Sequence, residues 1–287
     1  MRKHLRPGFI TVLALTLIAG SASAQVLSYF EVQTDGVGSN NGLDGSYGVV
    51  VSPDNSHVYT ASSTDDAVAV FKQTGAGGLT YVESHFDDGN GGVIDGLQDA
   101  KRLSASPDGK SIYVPTTGDD ALVVFSRDAA TGALTYVETH KDGASGVDGL
   151  NGAYEVTVSP DNLHVYVAGS SDDAVAVFSR NTTTGALTYV EMHKDGVSGV
   201  DGLNGARSLN VSADGSHVYV ASSLDDAVAI FSRNAVTGAL TYSTRVKDGV
   251  GGVDGLNGAY GLKISPDDKQ VYVVSSSDDA VAVFTRD

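Results

Sequence analysis

Beyond residue 25 the chain alternates between short apolar runs, rich in β-branched and aromatic residues, and clusters of Gly, Asp, Ser and Pro. Between residues 154 and 193 the apolar runs cover Tyr154–Val158, His164–Ala168, Ala174–Ser179 and Leu187–His193. Such runs between turn-forming clusters are typical of β-strands, and no helical period occurs in this part of the chain. The pattern predicts an all-β protein in which four short strands follow one another.

This four-strand unit recurs five times. Its first turn carries Ser-Pro-Asp, or Ser-Ala-Asp in one copy, at spacings of 54, 53, 53 and 53 residues, beginning at Ser52, Ser106, Ser159, Ser212 and Ser265. Four strands in a repeat of this length are typical of propeller blades, and nearly continuous apolar strands suit sheets that are covered on both faces. We therefore predict a five-bladed β-propeller with four antiparallel strands per blade and repeats starting near residues 35, 88, 142, 195 and 248.

The two ends of the sequence complement each other. The last repeat stops after its third strand, at Arg286-Asp287, and residues 26–31 (Val-Leu-Ser-Tyr-Phe-Glu) match the fourth strand of the other repeats. We expect this N-terminal strand to pair with the last blade and close the ring, because closure removes open sheet edges.

The first 24 residues have the order of features of a secretory signal peptide. Basic residues precede an apolar run over residues 9–19, and Ala22-Ser23-Ala24 forms a small-residue cleavage site. We predict a signal of bacterial type that is cleaved on export, leaving residues 25–287 as one propeller domain in the periplasm or outside the cell.

Composition limits the partners. The sequence has 35 acidic against 18 basic residues, and three of the basic ones lie in the predicted signal peptide. Such an acidic protein repels nucleic-acid phosphates and anionic lipid surfaces, so we expect no nucleic-acid partner and no membrane insertion. Cysteine is absent, which excludes disulfides and thiol chemistry. We expect a monomer that is stabilised by its core.

Aspartates recur in the loops after the second strands and in the loops that join blades. Both sets of loops would lie on one face of a propeller and make it strongly negative. One hypothesis is Ca²⁺ binding, since Ca²⁺ prefers clustered oxygen ligands; the candidate ligands are Asp142, Asp148, Asp195, Asp201, Asp248 and Asp254. The alternative is that the aspartates cap turns by accepting hydrogen bonds from nearby backbone N–H groups.

The repeats differ most at the start of the innermost strand, which would line the central channel. The first position carries Tyr47, Lys101, Tyr154, Arg207 and Tyr260; the second carries Gly48, Arg102, Glu155, Ser208 and Gly261; the fourth carries Val50, Ser104, Thr157, Asn210 and Lys263. Tyrosine rings, cations and one carboxylate can hold an anionic or sugar-like ligand. The alternative is drift in a channel filled with bound water.

Within this ring we assign candidate roles. Glu155, as a base, and Arg207 are the candidate catalytic residues. The candidate ligand-binding residues are Tyr47, Lys101, Arg102, Tyr154, Tyr260 and Lys263.

The histidines lie elsewhere. We expect them to be exposed residues at strand ends, because the repeats place His57, His164 and His217 at the starts of second strands and His85, His140 and His193 at the ends of fourth strands. The face opposite the aspartates would carry Arg127, Arg180, Arg233 and Arg286.

Three segments together resemble the lactonase-type β-propellers. They are Ser-Pro-Asp-Asn/Gly followed by Val-Tyr-Val-Ala, then Asp-Asp-Ala-Val-Ala-Val-Phe-Ser-Arg, then Thr-Gly-Ala-Leu-Thr-Tyr-Val-Glu. The resemblance is to the group of the propeller-type 6-phosphogluconolactonases and of bacterial YVTN-type surface repeats, and it covers all five repeats. It implies a propeller, usually of seven blades, and lactone hydrolysis by Arg, His and Glu at the central funnel. No local motif maps those catalytic groups onto this chain one by one.

Three functions remain open. The first is a secreted module that binds a ligand or a protein or glycan partner, because near-identical blades offer repeated equivalent surfaces. The second is a lactone hydrolase acting on a sugar acid lactone at the channel mouth. The third is a lectin-like multivalent sugar binder. None of the three requires a cofactor, and Ca²⁺ is the one candidate ion.

Overall fold

The computed structural model describes residues 29–90 and 92–286, and Val32–Asp287 form one compact unit. Five antiparallel sheets follow one another along the chain, four of them with four strands and the last with three. Blade 1 comprises β1 (Ser46–Val51), β2 (His57–Ser62), β3 (Ala67–Gln73) and β4 (Leu79–Phe86), and blade 2 comprises β5 (Ser104–Ala105), β6 (Ser111–Thr116), β7 (Ala121–Arg127) and β8 (Leu134–Lys141).

The other three blades repeat the same order. Blade 3 comprises β9 (Ala153–Val158), β10 (His164–Gly169), β11 (Ala174–Arg180) and β12 (Leu187–Lys194); blade 4 comprises β13 (Ala206–Val211), β14 (His217–Ser222), β15 (Ala227–Arg233) and β16 (Leu240–Lys247); blade 5 comprises β17 (Ala259–Ile264), β18 (Gln270–Ser275) and β19 (Ala280–Thr285). A short 3₁₀ turn covers Asp88–Asn90. The predicted propeller fold is confirmed, and the four strands of blade 3 agree with the prediction to within one residue at each end.

The Ser-Pro-Asp motif forms the turn between the first two strands of a blade. In blade 1 the Ser52 hydroxyl donates to Asp54 Oδ1 (2.6 Å) and accepts a hydrogen bond from the backbone N–H of His57 (3.0 Å). Asn55 adopts a left-handed conformation (φ 56°), which Asn tolerates better than most residues. The motif therefore fixes both the tightness of the turn and the start of β2.

The hydrophobic core lies between the blades rather than inside any one of them. Between blades 2 and 3, for example, Tyr113 and Leu122 pack in one cluster with Val165 and Phe178. Both faces of a central blade are covered in this way, which is why its strands read as continuous apolar runs.

An arginine joins each of blades 2 to 5 to the blade before it. Arg127 of blade 2 donates from Nε to the Tyr59 hydroxyl (2.6 Å) and from Nη2 to Asp54 Oδ2 (2.8 Å) and His57 Nδ1 (2.9 Å) of blade 1. The Tyr59 hydroxyl in turn donates to the carbonyl of Gly132 in blade 2 (2.9 Å). We call this set the arginine clamp; it recurs with Arg180 on Tyr113 and Asp108, Arg233 on Tyr166 and Asp161, and Arg286 on Tyr219 and Asp214.

The clamp overturns one expectation from the sequence. The expected exposure of His57 and His164 is wrong, since both rings are buried against clamp arginines. That prediction failed because each clamp partner lies about 70 residues away in the sequence, on another blade. The clamp arginines Arg127, Arg180 and Arg233 themselves end the third strands beside the Ser-Pro-Asp turns, opposite the aspartate loops, with their side chains between blades.

One seam of the ring differs from the others. We call the four blade pairs joined by clamps the closed seams, and the junction between blades 5 and 1 the 5–1 seam. On blade 5, Tyr272 is 40% and Val281 62% exposed, whereas their counterparts in blade 4, Tyr219 and Val228, are 7% and 3% exposed. Gln73 occupies the clamp position of blade 1, so the 5–1 seam lacks its arginine.

The predicted closure of the ring by an N-terminal strand is not confirmed. Among the described residues blade 5 has three strands, and residues 29–34 belong to no strand. Residues 26–28, where that strand would begin, and the predicted signal peptide, residues 1–24, lie outside the described residues. Over the part of the chain that the structure describes, no helix has the length and apolar character needed to cross a membrane.

Candidate functional site

The inner strands of all five blades surround a central cavity of about 600 Å³. Most of the polar residues around it come from the positions at which the repeats differ, namely Tyr47, Arg102, Ser104, Glu155, Thr157, Ser208, Asn210 and Lys263. The variable ring therefore lines a real cavity, as expected from its place in the repeat.

A β-bulge explains why successive residues of one strand both reach the channel. In β9, Ala153 pairs with Gly169 and Glu155 pairs with Ala168, so Tyr154 is an extra residue without a partner on β10. The same irregularity occurs in β1, β13 and β17. A bulge changes the direction of the side chains beside it, and here it brings both the first and the second position towards the axis.

Blade 2 departs from this pattern because of a proline. Pro115 of β6 has no N–H to offer its neighbour, and β5 is only two residues long. The backbone of Arg102 bonds instead to the next blade, its N–H donating to the carbonyl of Tyr154 (3.2 Å). This shift brings Arg102 beside Glu155.

Glu155 is a buried carboxylate held by two cations. Its Oε2 lies 3.2 Å from Arg102 Nη1, its Oε1 lies 3.2 Å from Lys263 Nζ, and the residue is 7% exposed. A buried charge is tolerated only with such partners. Gly48 allows the close packing of the inner strands here, since a Cβ at that residue would lie 2.4 Å from the carbonyl oxygen of Lys101.

Three tyrosines meet beside this ion cluster. The hydroxyls of Tyr47, Tyr154 and Tyr260 contact one another, and the guanidinium groups of Arg102 and Arg207 lie over the rings of Tyr154 and Tyr260 at 4.9–5.7 Å. Burial, together with the neighbouring tyrosines, raises the pKa of Tyr154. Burial also acts to raise the pKa of Tyr260, but hydrogen bonds from the other two hydroxyls and the two nearby arginines outweigh it and lower that pKa.

Four of the predicted site residues are not among those lining the cavity, namely Lys101, Tyr154, Arg207 and Tyr260. Arg207 Nε donates to Ser223 Oγ (3.1 Å), and Lys101 Nζ donates to Asp99 Oδ1 (2.5 Å) while lying 4.7 Å from the centre of the Tyr47 ring. Glu155, Arg102, Lys263 and Tyr47 therefore line the cavity, and Tyr154 and Tyr260 contact Tyr47 outside that lining. Arg207 and Lys101 lie against the tyrosine rings and hydrogen-bond towards the loops on the acidic side.

The aspartates of the loops act as caps. Asp142 Oδ1 accepts the backbone N–H of Leu150 (3.0 Å), with equivalent bonds at Asp195 and Asp248, and Asp120 Oδ1 accepts the N–H of Gly152 in the next blade (2.7 Å). Capping therefore accounts for many of these side chains.

The same aspartates also form three groups whose carboxylate oxygens lie within 4.8 Å of one another: Asp142, Asp148 and Asp172; Asp195, Asp201 and Asp225; Asp248, Asp254 and Asp278. The third member of each group was missed, because it lies in another loop of the repeat. Burial and the neighbouring Asp172 raise the pKa of Asp142. Lys194 Nζ lies 3.4 Å from Asp172 and Lys247 Nζ 3.6 Å from Asp225, so cations of the chain already neutralise part of this charge. Ca²⁺ binding stays a prediction.

The cavity also has an apolar wall that sequence reasoning missed. Val49 of β1 and Tyr272 and Val274 of β18 line it at the 5–1 seam. Val49 and Tyr272 fit the repeat pattern, whereas Val274 replaces the Ala or Pro of the other blades. The change from one apolar residue to another did not signal a site, and the lack of a covering blade exposes all three.

Comparisons with known proteins agree with the propeller fold, although the family that matches is described as seven-bladed. The chain matches the sequence model of the family described as lactonase, 7-bladed beta-propeller, over residues 49–198, 103–249 and 198–287. A 6-phosphogluconolactonase of Klebsiella pneumoniae (strain 342) is 22% identical over 266 residues, which cover 79% of this chain and 76% of that protein.

Solved structures show the same fold. The periplasmic gluconolactonase of Pseudomonas aeruginosa matches with a TM-score of 0.65 and 23% identity, over 83% of this chain and 65% of that one. A protein from Lactobacillus plantarum matches with a TM-score of 0.66 and 23% identity, over 84% and 67%. This chain thus spans about two thirds of the length of these solved structures, and five blades are described here.

Proposed function

Because the chain belongs to the lactonase family of seven-bladed β-propellers, we propose that it hydrolyses a lactone in the cavity that contains Glu155. The observation that carries this proposal is a buried carboxylate held between a guanidinium and an ammonium group at the wall of a cavity large enough for a small molecule. The names of the relatives, 6-phosphogluconolactonase and gluconolactonase, support a sugar acid lactone as the substrate class.

The comparisons give no support to the hypothesis of a partner-binding module. The lectin-like alternative would require equivalent sites in each blade, but the polar ring differs in all five. One asymmetric site suits a reaction, in which base and cations have separate roles.

The residues present can supply each step of lactone hydrolysis. The Glu155 carboxylate accepts a proton from a water molecule while the water oxygen bonds to the lactone carbonyl carbon. Arg102 and Lys263 face the negative charge that develops on the carbonyl oxygen. The ring C–O bond then breaks, and the departing alkoxide takes the proton back from Glu155. The hydroxy acid product loses its carboxyl proton to solvent at neutral pH.

Arg102 and Lys263 have different surroundings and so different expected roles. Arg102 is anchored by its backbone bond to blade 3 and by the tyrosine rings, and its side chain is 30% exposed. Lys263 is 71% exposed and reaches Glu155 only with its tip. We propose that Arg102 stabilises the transition state and that Lys263 mainly attracts an anionic group of the substrate.

Hydrolysis of D-glucono-δ-lactone and its 6-phosphate, followed by acid release at constant pH above the spontaneous rate, tests this function. Arg102→Met should lower kcat by about 10²-fold, as for the loss of a charge-stabilising group, whereas Lys263→Met should raise KM with a smaller change in kcat. Lys110→Met, at an exposed turn, is the matched control. Absence of hydrolysis of any lactone by the wild-type protein would refute the function.

We also propose that residues 1–24 direct export and that residues 26–31 form the fourth strand of blade 5. The export proposal rests on the order of features in the sequence, and the relative from Pseudomonas aeruginosa is described as periplasmic. The strand proposal is supported by Gln33, whose side-chain amide donates to the carbonyl of Leu79 in blade 1 (3.1 Å). Its repeat counterpart, His85, likewise lies against the following blade, 5.3 Å from the ring of Phe125.

A further inference from the structure

The central cavity has two chemically different ends. Its axial end carries Glu155, Arg102 and Lys263. Its other end lies in the 5–1 seam, where the wall consists of Val49 from blade 1 and Tyr272 and Val274 from blade 5.

Among the residues that the structure describes, this apolar end is found only at the 5–1 seam. Val49 is 68% exposed, whereas its counterparts Leu103, Val156, Leu209 and Leu262 are at most 7% exposed because a neighbouring blade covers them. Among the described residues, blade 5 alone contributes second-strand side chains to the cavity wall. The cavity therefore extends sideways into the ring at one place.

The apolar wall continues outwards along blade 5. Val274 pairs with Val281 of β19, and Tyr272 pairs with Val283, so the four side chains share one face of the sheet. All four are at least 40% exposed. Adjacent strands are about 4.8 Å apart, so the track from β17 to β19 runs for about 10 Å.

We infer that the seam binds an apolar substituent of the substrate, so that the preferred lactone carries an alkyl chain rather than only hydroxyl groups. The lactone ring lies at Glu155, and the chain lies along Val274 and Val281. A purely polar sugar lactone would leave this apolar track in contact with water. An alkyl chain bound along the track removes both its own surface and that of the valine side chains from water. The placement of the lactone ring at Glu155 rests on the proposed function, but the binding of the alkyl chain can be measured without catalysis.

Binding of linear carboxylates, from butyrate to decanoate, isolates the proposed interaction by calorimetry. The carboxylate stands in for the reaction product and pairs with Lys263 and Arg102, and each added methylene should tighten binding about fourfold until the track is filled. Val274→Asp and the milder Val281→Ser should reduce this dependence on chain length. Val236→Asp, at an exposed loop far along the chain from the seam, is the matched control and should retain it.

Kinetics provide the second arm. For δ-lactones with C5 alkyl chains of increasing length, kcat/KM should rise relative to unsubstituted δ-valerolactone in the wild-type protein. Equal kcat/KM across the series, with hydrolysis of δ-valerolactone intact, would overturn the apolar subsite and leave the lactonase function standing. Hydrolysis of no lactone, with decanoate still bound more tightly than butyrate, would refute the function and leave the apolar subsite. Equal affinities for butyrate and decanoate would refute the subsite in either case.

Discussion

The closed seams and the 5–1 seam are built from the same repeat, yet they differ in the clamp and in the burial of the apolar side chains between blades. In a closed seam an arginine whose side chain is at most 11% exposed joins a tyrosine and an aspartate of the preceding blade, and in two of these seams it also contacts a histidine. The valines at these seams are nearly inaccessible. At the 5–1 seam Gln73 replaces the arginine, and the same valine and tyrosine positions face solvent. Burial in such a repeat protein is thus a property of the neighbouring blade as much as of the residue.

Among the changes that test this comparison, removal of residues 26–34 should have the largest effect on the protein's stability and solubility. If these residues complete blade 5, their deletion exposes the edge of β19 and the face of Phe284, and the protein should aggregate or lose its cooperative unfolding transition. Size-exclusion chromatography with light scattering and thermal unfolding measure both. A soluble monomer with an unchanged transition would contradict closure by this strand.

A clamp variant should have the next largest effect. Arg180→Met removes a guanidinium with a fully buried side chain and leaves Asp108 and the Tyr113 hydroxyl without that partner, so we expect a loss of about 3 kcal/mol in the free energy of unfolding. Gln73→Met, at the same repeat position of the 5–1 seam, is the matched control and should change that free energy by less than about 0.5 kcal/mol. Urea unfolding measures both changes. Equal losses of unfolding free energy in the two variants would mean that the clamp does not distinguish the closed seams from the 5–1 seam.

Acidification should weaken the closed seams through their histidines. Burial and the adjacent clamp arginines lower the pKa of His57 and His164 below the ordinary value of 6.5. Between the lowered pKa and 6.5 the unfolded chain binds more protons than the folded protein. The contribution of these histidines to the free energy of unfolding therefore has its full value above about pH 6.5 and decreases as the pH falls below that value.

The double variant His57→Gln/His164→Gln tests this dependence. Glutamine keeps an acceptor for the arginine but cannot titrate, so the slope of unfolding free energy between pH 7 and pH 5 should decrease. An unchanged slope would remove these two residues from the explanation.

Added Ca²⁺ should have the smallest effect on stability. That effect should differ between the three aspartate groups. Within the described residues no ion pair joins Asp248, Asp254 or Asp278 to a basic side chain, whereas Lys194 lies beside Asp172 in the first group. We therefore expect Ca²⁺ to bind preferentially at Asp254, adding about 1 kcal/mol of stability at a concentration a few times the Kd. Asp254→Asn should abolish the increase in melting temperature and Asp148→Asn should not; no increase for the wild-type protein would end the hypothesis.

The sequence predicted the strands because their signals are local. Ser-Pro-Asp turns and apolar runs define each strand without reference to the rest of the chain. The burial of His57 and His164 could not be predicted in this way, because the arginine that buries each of them comes from the following blade.

Part of the candidate site could also be predicted from the sequence, but from differences between the repeats and not from local strand signals. Glu155, Arg102 and Lys263 were found because near-identical repeats make each deviation visible. Their pairing could not be foreseen, since it depends on Pro115 releasing the start of blade 2 towards blade 3. Val274 does depart from the Ala or Pro of the other blades, but an exchange of apolar residues carries no chemical signal, and the open seam gives it a role.

The most direct test of the central claim, that the cavity at Glu155 hydrolyses lactones, compares the wild-type protein with Glu155→Gln. The substitution keeps the shape of the side chain and removes its ability to take a proton, so kcat for the best lactone should fall by about 10²- to 10⁴-fold. Thermal unfolding and binding of the hydroxy acid product verify that the variant is folded and retains its cavity. A folded Glu155→Gln protein that hydrolyses the lactone at the wild-type rate would contradict the account.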